Sequence, residues 1–331
     1  MIKLLCVEDS RSYRNKLREI IPDSIEWHQA ETLQQAYESI ASTDFDVVLL
    51  DLYLPDGDSL ELCRKIREQE QNSGRIVTII FISGESSIQW RLRIYDSGAD
   101  SCLAKSITSE ELSAQLNALM GYHNKRTLLP PKQNEKKLRQ LEISHYNATN
   151  DYSAVLGFCK DVAGVNTLSD VTTELSSLMG CWNLSFLVQI NGIGPPYIYK
   201  HLGELVSPLE ESILENLRAD GAGVQNFGNN TYFSFLDVEL LVGNMPIEDD
   251  ETYGRLRDVF HMVTQVIHAK ACQIQAIDTI ETDLQSLRNQ LVDDAISSES
   301  DSLIKIDSIL ENIQDSREDR VADSSSEITF F

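Results

Sequence analysis

Positive charge is scarce in this chain. Against 52 aspartates and glutamates stand only 28 lysines and arginines among 331 residues, a formal net charge of −24. An output that grips nucleic acid by its phosphates needs a basic face. Only residues 124–150, with six basic and two acidic side chains, carry a positive excess. Beside Pro130 and Pro131 that excess reads as a solvated linker and helix start, so no nucleic-acid partner is expected. Long apolar runs are missing too. No stretch of about 18 uninterrupted apolar residues offers a membrane span. The opening MIKLLCVEDS has too short an apolar run for a signal peptide and no small-residue cleavage site. The expected location is the cytoplasm, with no membrane partner. The six cysteines form no CxxC pair and have no histidine at zinc-ligand spacing, which fits scattered buried thiols in a reduced compartment.

With 42% hydrophobic and 24% charged residues the composition is that of globular domains. The length suits two domains plus connecting or terminal segments. In residues 1–123 short apolar runs alternate with amphipathic stretches, the pattern of βα units. Strands are predicted at 2–7, 25–30, 47–50, 77–82 and 101–104. Helices are predicted at 11–20, 32–42, 59–69, 88–97 and 109–120. KLLCV, VVLL and VTIIFI are apolar at consecutive positions, so both faces of those strands must be covered, as in a parallel sheet between helix layers. An open doubly wound sheet of this kind binds ligands beyond the carboxyl ends of its strands.

Those ends carry a pointed set of residues. The first strand ends in Glu8-Asp9, the third in Asp51 before a Pro-Asp-Gly turn, the fourth in Ser83-Gly84 and the fifth in Lys105. Taken singly each has a plainer role as a cap, a turn residue or a surface charge. Taken together they place three carboxylates, a hydroxyl and an ammonium on one rim. Crowded carboxylates repel one another and are best relieved by a hard divalent cation with oxygen ligands, most simply Mg2+.

At these residues the chain resembles the receiver domain of two-component response regulators. The resemblance rests on Glu8-Asp9, the segment DLYLPDGDSLEL with Asp51, the hydroxyl of Ser83 in FISGE, the triplet Gly98 to Asp100 and Lys105, in that order. It implies a flavodoxin-like α/β fold, a five-stranded doubly wound parallel sheet of order 2-1-3-4-5. It further implies transfer of a phosphoryl group from the phosphohistidine of a sensor histidine kinase, or of a phosphotransfer protein, to Asp51. Glu8, Asp9, Asp51 and the backbone carbonyl of Tyr53 would hold Mg2+. Lys105 and Ser83 would stabilise the phosphoryl group, with Ser83 and Cys102 at the switch positions. Two residues depart from the family pattern. Cys102 stands where an aromatic is common, as a plain buried thiol or a redox-active one. Ser106 follows Lys105 where proline is common, and a non-proline cis bond costs about 3 kcal/mol, so a trans or a strained bond is expected there.

After Gly121 the sequence turns polar. Residues 124–150 read as linker and signalling helix, with a 3-4 seam of Leu138, Leu141, Ala148, Tyr152 and Val155 around His145. Residues 151–272 alternate helical and strand patterns: a helix at 171–179, strands in SFLVQI and PYIYKHL, a helix at 208–217, two strands in NTYFSFLDVELLVGNMP and a long closing helix. This order, with the passage from ELLVGNMP to YGRLRD, resembles a GAF-like domain, an antiparallel sheet flanked by helices. The resemblance implies a small-molecule sensor, or a dimerisation or partner-binding module. The expected organisation is a receiver at 1–123, a linker at 124–150, a GAF-like domain at 151–272 and an acidic, partly disordered helical tail at 273–331. That tail has a heptad seam of Ile277, Ile280, Leu284, Leu287 and Leu291. No GGDEF, EAL, P-loop or histidine-kinase nucleotide box is present, and His201 with Glu204 is thin support for acid-base chemistry. The expected output is therefore protein interaction, through a homodimer and a downstream protein, with enzymatic chemistry limited to the receiver's own phosphorylation and dephosphorylation. Two alternatives are a ligand-gated sensor and an enzyme of unrecognised type.

Overall fold

All five residues of VVLLD are buried, because the strand they form lies in the middle of a sheet covered on both faces. In the computed structural model, which describes residues 2–85, 87–128, 151–192, 194–219, 223–294 and 309, this strand is β3 (Val47–Asp51). Around it run β1 (Lys3–Val7), β2 (Glu26–Ala30), β6 (Thr78–Ser83) and β7 (Ser101–Ala104). All are parallel, in the order β2-β1-β3-β6-β7, as expected for a flavodoxin-like receiver sheet. The register pairs Val7 with Leu50, Asp51 with Ile82 and Ser83 with Ala104, so the strand ends line up along one rim. The helices are α1 (Arg11–Ile20), α2 (Leu33–Ser42), α3 (Ser59–Ser73), α4 (Ile88–Asp96) and α5 (Ser109–Leu128). Leu4, Cys6, Val47, Leu49 and Ile80 of the sheet share one core with Leu17 of α1 and Leu112 and Leu116 of α5.

Local chemistry sets the helix starts. Ser10 and Thr32 accept the backbone N–H of Tyr13 and Gln35, and Asp58 accepts that of Leu60, the side-chain caps that orphan helical donors require. The Pro-Asp-Gly turn holds a short hairpin of β4 (Tyr53–Leu54) and β5 (Gly57–Asp58) that periodicity alone does not predict. Its Asp56 carboxylate accepts the N–H groups of Leu33 and Gln34 at 2.9 and 3.0 Å, fastening the turn to the start of α2. Gly57 has φ +157°, and a Cβ there would lie 2.9 Å from Leu33 Cδ1.

The described residues fall into two compact units, one within Met1–Glu135 and Glu204–Ala222, the other within Lys136–Gly203 and Gly223–Phe331. The second unit has the antiparallel sheet β10-β11-β12-β8-β9, built from β8 (Ser185–Ile190), β9 (Tyr197–Lys200), β10 (Val224–Phe227), β11 (Asn230–Phe235) and β12 (Val238–Gly243). Helices α6 (Asp151–Gly164) and α7 (Leu168–Gly180) and the C-terminal helix, α9 (Asp250–Asp294), share its core through Phe158, Leu175 and Phe260, packed with Phe186, Phe233 and Leu240 of the sheet. Strand β10, on the short run VQNF, is absent from the sequence-based expectation. Helix α9 runs unbroken through Cys272 and Gln273, where a boundary between domain and tail was expected. The helix between β9 and β10, α8 (Pro208–Ala219), groups with the first unit. Of the seam around His145, only Tyr152 and Val155 fall among the described residues, both in α6, and of the acidic end beyond Asp294 only position 309 does. No helix among the described residues is long and apolar enough to cross a membrane.

Candidate functional site

Because β1 and β3 end level with each other, their terminal carboxylates meet. Oxygens of Glu8, Asp9 and Asp51 all lie within 4.8 Å of one another. Glu8 and Asp51 are buried, at 1% and 4% exposure, and Asp9 is exposed, so the cluster opens to solvent on one side. Lys105, just past β7, brings its Nζ to 2.8 Å from both Glu8 Oε2 and Asp51 Oδ2 and lies 5.0 Å from the centre of the Tyr13 ring. Burial alone would lower the Lys105 pKa, but its hydrogen bonds to Asp51 and Glu8 outweigh that and raise it above the ordinary lysine value. Burial pushes the Glu8 carboxyl up, and the negative charge of Asp51 adds to the effect, against the hydrogen bond from Lys105. Three carboxylates thus face one ammonium, a donor set of hard oxygens that suits a divalent cation.

Tyr53 donates its N–H to Asp51 Oδ1 at 3.4 Å, while its exposed ring stands edge-on to Trp90 of α4 at 5.7 Å. Ser83 is fully buried at the end of β6, between β3 and β7. Its carbonyl accepts the N–H of Lys105 at 2.8 Å, and its Oγ accepts that of Glu85 at 2.9 Å. All peptide bonds among the described residues are trans, that between Lys105 and Ser106 included.

Cys102 is not drawn into this cluster. It is half-buried on β7, the charge acting on it is that of Arg91 in α4, and burial pushes its thiol pKa up to about 11. Such a thiol is a poor thiolate. Asp100 also lies apart from the acidic rim. Its Oδ2 accepts Arg67 Nη2 at 2.5 Å and Ile79 N at 2.8 Å, and its Oδ1 accepts Arg126 Nη1 and Tyr122 Oη, each at 3.1 Å. Gly98, at φ +92°, lets the Arg67 stem pass where a Cβ would lie 2.9 Å from its Cγ. The Gly98 to Asp100 triplet is thus a tie between α3, β6 and α5.

Sequence reasoning missed Arg14. The residue is 4% exposed, and its guanidinium donates to the carbonyls of Glu8 and Asp9 at 2.5 and 2.9 Å while pairing with Glu31. It fixes the backbone that presents the acidic pair. The one signal for it is its place on the inward stripe of α1, three residues before Leu17.

Residues 4–117 match the family model of the response regulator receiver domain, and this part of the chain is a receiver domain of two-component systems. Among curated proteins, the KDP operon transcriptional regulatory protein KdpE of Escherichia coli is 33% identical over 132 residues, 40% of this chain and 56% of that protein. The transcriptional regulatory protein SrrA of Staphylococcus aureus is 28% identical over 162 residues, 48% of this chain and 64% of that protein. The chain thus spans a little over half the length of these relatives. Among solved structures, the BeF3-activated DrrB receiver domain is 25% identical with a TM-score of 0.33, covering 37% of this chain and 98% of that one. A two-component response regulator from Clostridium difficile is 26% identical with a TM-score of 0.33, covering 36% and 96%.

Proposed function

We propose that Asp51 accepts a phosphoryl group from a histidine kinase or phosphotransfer protein, and that the chain passes on this state through protein contacts. The observation that carries the reading is the burial of Asp51 at a strand end among Glu8, Asp9 and Lys105. A carboxylate held in place by its strand is a competent nucleophile for an acyl phosphate. In the transfer an Asp51 oxygen bonds to phosphorus as the phosphorus–nitrogen bond to the donor histidine breaks. Positioning and charge neutralisation account for most of the catalysis. Glu8, Asp9, Asp51 and the Tyr53 carbonyl would hold Mg2+, which supplies positive charge to the phosphoryl oxygens. Lys105 adds its ammonium to those oxygens, and Ser83 turns its hydroxyl toward them.

The test is mass spectrometry of the full chain after acetyl phosphate and Mg2+. The expected result is a single phosphoryl adduct that is absent from Asp51→Asn. An adduct retained in that variant, or none in wild type, overturns the reading.

For the output, a net charge of −24 favours protein over nucleic acid, although the printed names of KdpE and SrrA describe transcriptional regulation. The antiparallel sheet with its helices is in keeping with a GAF-like domain. An open groove of about 530 Å³ between α6 and α9, lined by Val155, Leu156, Cys159, Met262 and Val266, leaves Leu156 70% exposed, and such a face supports self-association. A metabolite screen by thermal shift separates this reading from the sensor reading. Saturating ligand at about 100 times its Kd would stabilise the fold by about 2.7 kcal/mol, and a hit of that size favours the sensor.

A further inference from the structure

Helix α9 outruns the described helices packed against it. Helix α6 lies alongside it and runs the same way: the groove sets residues 155–159 of α6 beside 262–269 of α9, and further on Lys270 Nζ donates to the carbonyl of Ala163, at the end of α6, at 3.1 Å. Ile274 is buried and Gln275 Nε2 donates to the carbonyl of Asn191 at 3.4 Å. Beyond Gln275 none of the described side chains of α9 is buried, yet the helix continues to Asp294. That extension of about 19 residues is about 28 Å long. A helix of this length is marginal in water by itself, because most helical stability comes from packing an apolar face. The extension therefore calls for a partner.

Its apolar face is continuous with the open groove. At about 100° per residue, Met262, Val266 and Gln273 fall on the same line along α9 as Ile280, Leu284 and Leu287, within about 60° of arc. Met262, Ile280 and Leu287 are 40%, 54% and 49% exposed. Groove and distal seam are thus one stripe about 38 Å long. It covers more than three heptads, a length that argues for a coiled coil where the distal seam alone does not. Upstream, Val263 and Lys270, at the core positions of that heptad, are buried in the unit's own fold, and Leu156 of α6 stands beside the stripe instead. Gln273 is a polar interruption of the kind that fixes register. The charges suit a second copy: paired parallel and in register, the heptad that begins at Ile277 sets Asp283 opposite Arg288 of the partner subunit on both sides of the pair. An antiparallel pair about the distal seam would carry the two grooves to opposite ends and leave both uncovered.

We propose that the chain pairs with a second copy of itself along this stripe, the two α9 helices parallel and in register from Met262 to Leu287, with Leu156 of each copy packed on the stripe of the other. This rests on the self-association reading of the groove and names its partner and geometry. The test is sedimentation equilibrium of the full chain, joined to a short bismaleimide cross-link through Ile280→Cys in a Cys272→Ser background, since Cys272 is exposed. Wild type should sediment as a dimer. Ile280→Glu with Leu287→Glu, and separately Leu156→Glu, should each weaken the dimer about tenfold or more, and all three positions are exposed enough to spare the core of the unit. The Ile280→Cys protein should cross-link into a two-chain species, and Cys272→Ser alone should not. A dimer indifferent to all these charges and not cross-linked overturns this face while sparing self-association. A dimer weakened by the α9 charges but not cross-linked overturns the parallel register, and one indifferent only to Leu156→Glu overturns the part given to the groove. A monomer at every concentration, as when residues 295–331 of the same chain cover the stripe, overturns the underlying self-association instead.

Discussion

Lys105 Nζ and Asp51 Oδ2 meet at 2.8 Å across the rim of the sheet, and the same ammonium lies 2.8 Å from Glu8 Oε2. One cation thus bridges the two buried carboxylates, drawing together the ends of β1, β3 and β7. Lys105→Met leaves Glu8, Asp9 and Asp51 without that charge. Removing one member of a buried ion pair costs about 3–5 kcal/mol. Because Lys105 is 27% exposed, the expected loss is nearer about 1–3 kcal/mol. Urea unfolding with and without Mg2+ checks this, and Mg2+ should stabilise the variant more than the wild type.

Glu8 should make the site pH-sensitive. Its folded pKa is raised above 4.5 by burial, so the protonated form is favoured in the fold. The stability that this proton contributes is present below pH 4.5 and is lost as pH rises through the folded value. In metal-free protein Glu8→Gln should therefore be more stable than wild type at neutral pH, with no gain below about pH 4.5. Mg2+ titrations should show affinity in the wild type beginning to fall while the pH is still above 4.5, as protonated Glu8 ceases to be a ligand.

His123 is buried on α5 with Nδ1 at 2.9 Å from Thr78 Oγ1, and burial holds its pKa below 6.5. A lowered folded value means the unfolded chain binds the proton first. The contribution of neutral His123 is complete above pH 6.5 and is lost as pH falls through the folded pKa. Chemical denaturation from pH 7 down to pH 5 should show wild type losing stability more steeply than His123→Gln.

Asp100 gathers Arg67, Arg126, Tyr122 and the N–H of Ile79. Asp100→Ala removes the carboxylate that Arg67 and Arg126 share, leaving them Glu70 and the Val77 carbonyl, and takes the acceptor from the buried amide of Ile79. Because both arginines stay paired with Glu70, the expected cost is about 2–3 kcal/mol, toward the low end for a broken buried pair, read as a lower urea midpoint with an unchanged slope. Asp100→Asn, which keeps an acceptor for Ile79 N, should lose less.

Much of the receiver was legible because apolar runs and site residues are adjacent in sequence. KLLCV ends at Glu8, VVLL at Asp51 and TIIFI at Ser83, so whatever buries the run also delivers the polar residue to a strand end. The predicted helix at 11–20 and strand at 101–104 coincide with the observed bounds. The β4–β5 hairpin and β10 were not legible, since runs of two to four residues are too short to carry a periodicity. Their pairing comes from the strand or turn beside them.

Sequence alone pointed to a doubly wound parallel sheet, because strands apolar at consecutive positions need cover on both faces, and it put Glu8, Asp9, Asp51, Ser83 and Lys105 at strand ends, which such a sheet lines up along one rim. Tertiary structure decided the rest. It set Arg14 behind the acidic pair, made Asp100 a tie between helices, half-buried Cys102 on β7 and seated α8 on α4 and β7. Each of these depends on side chains far apart in the chain, whose meeting is settled by packing and burial and leaves no mark in local spacing.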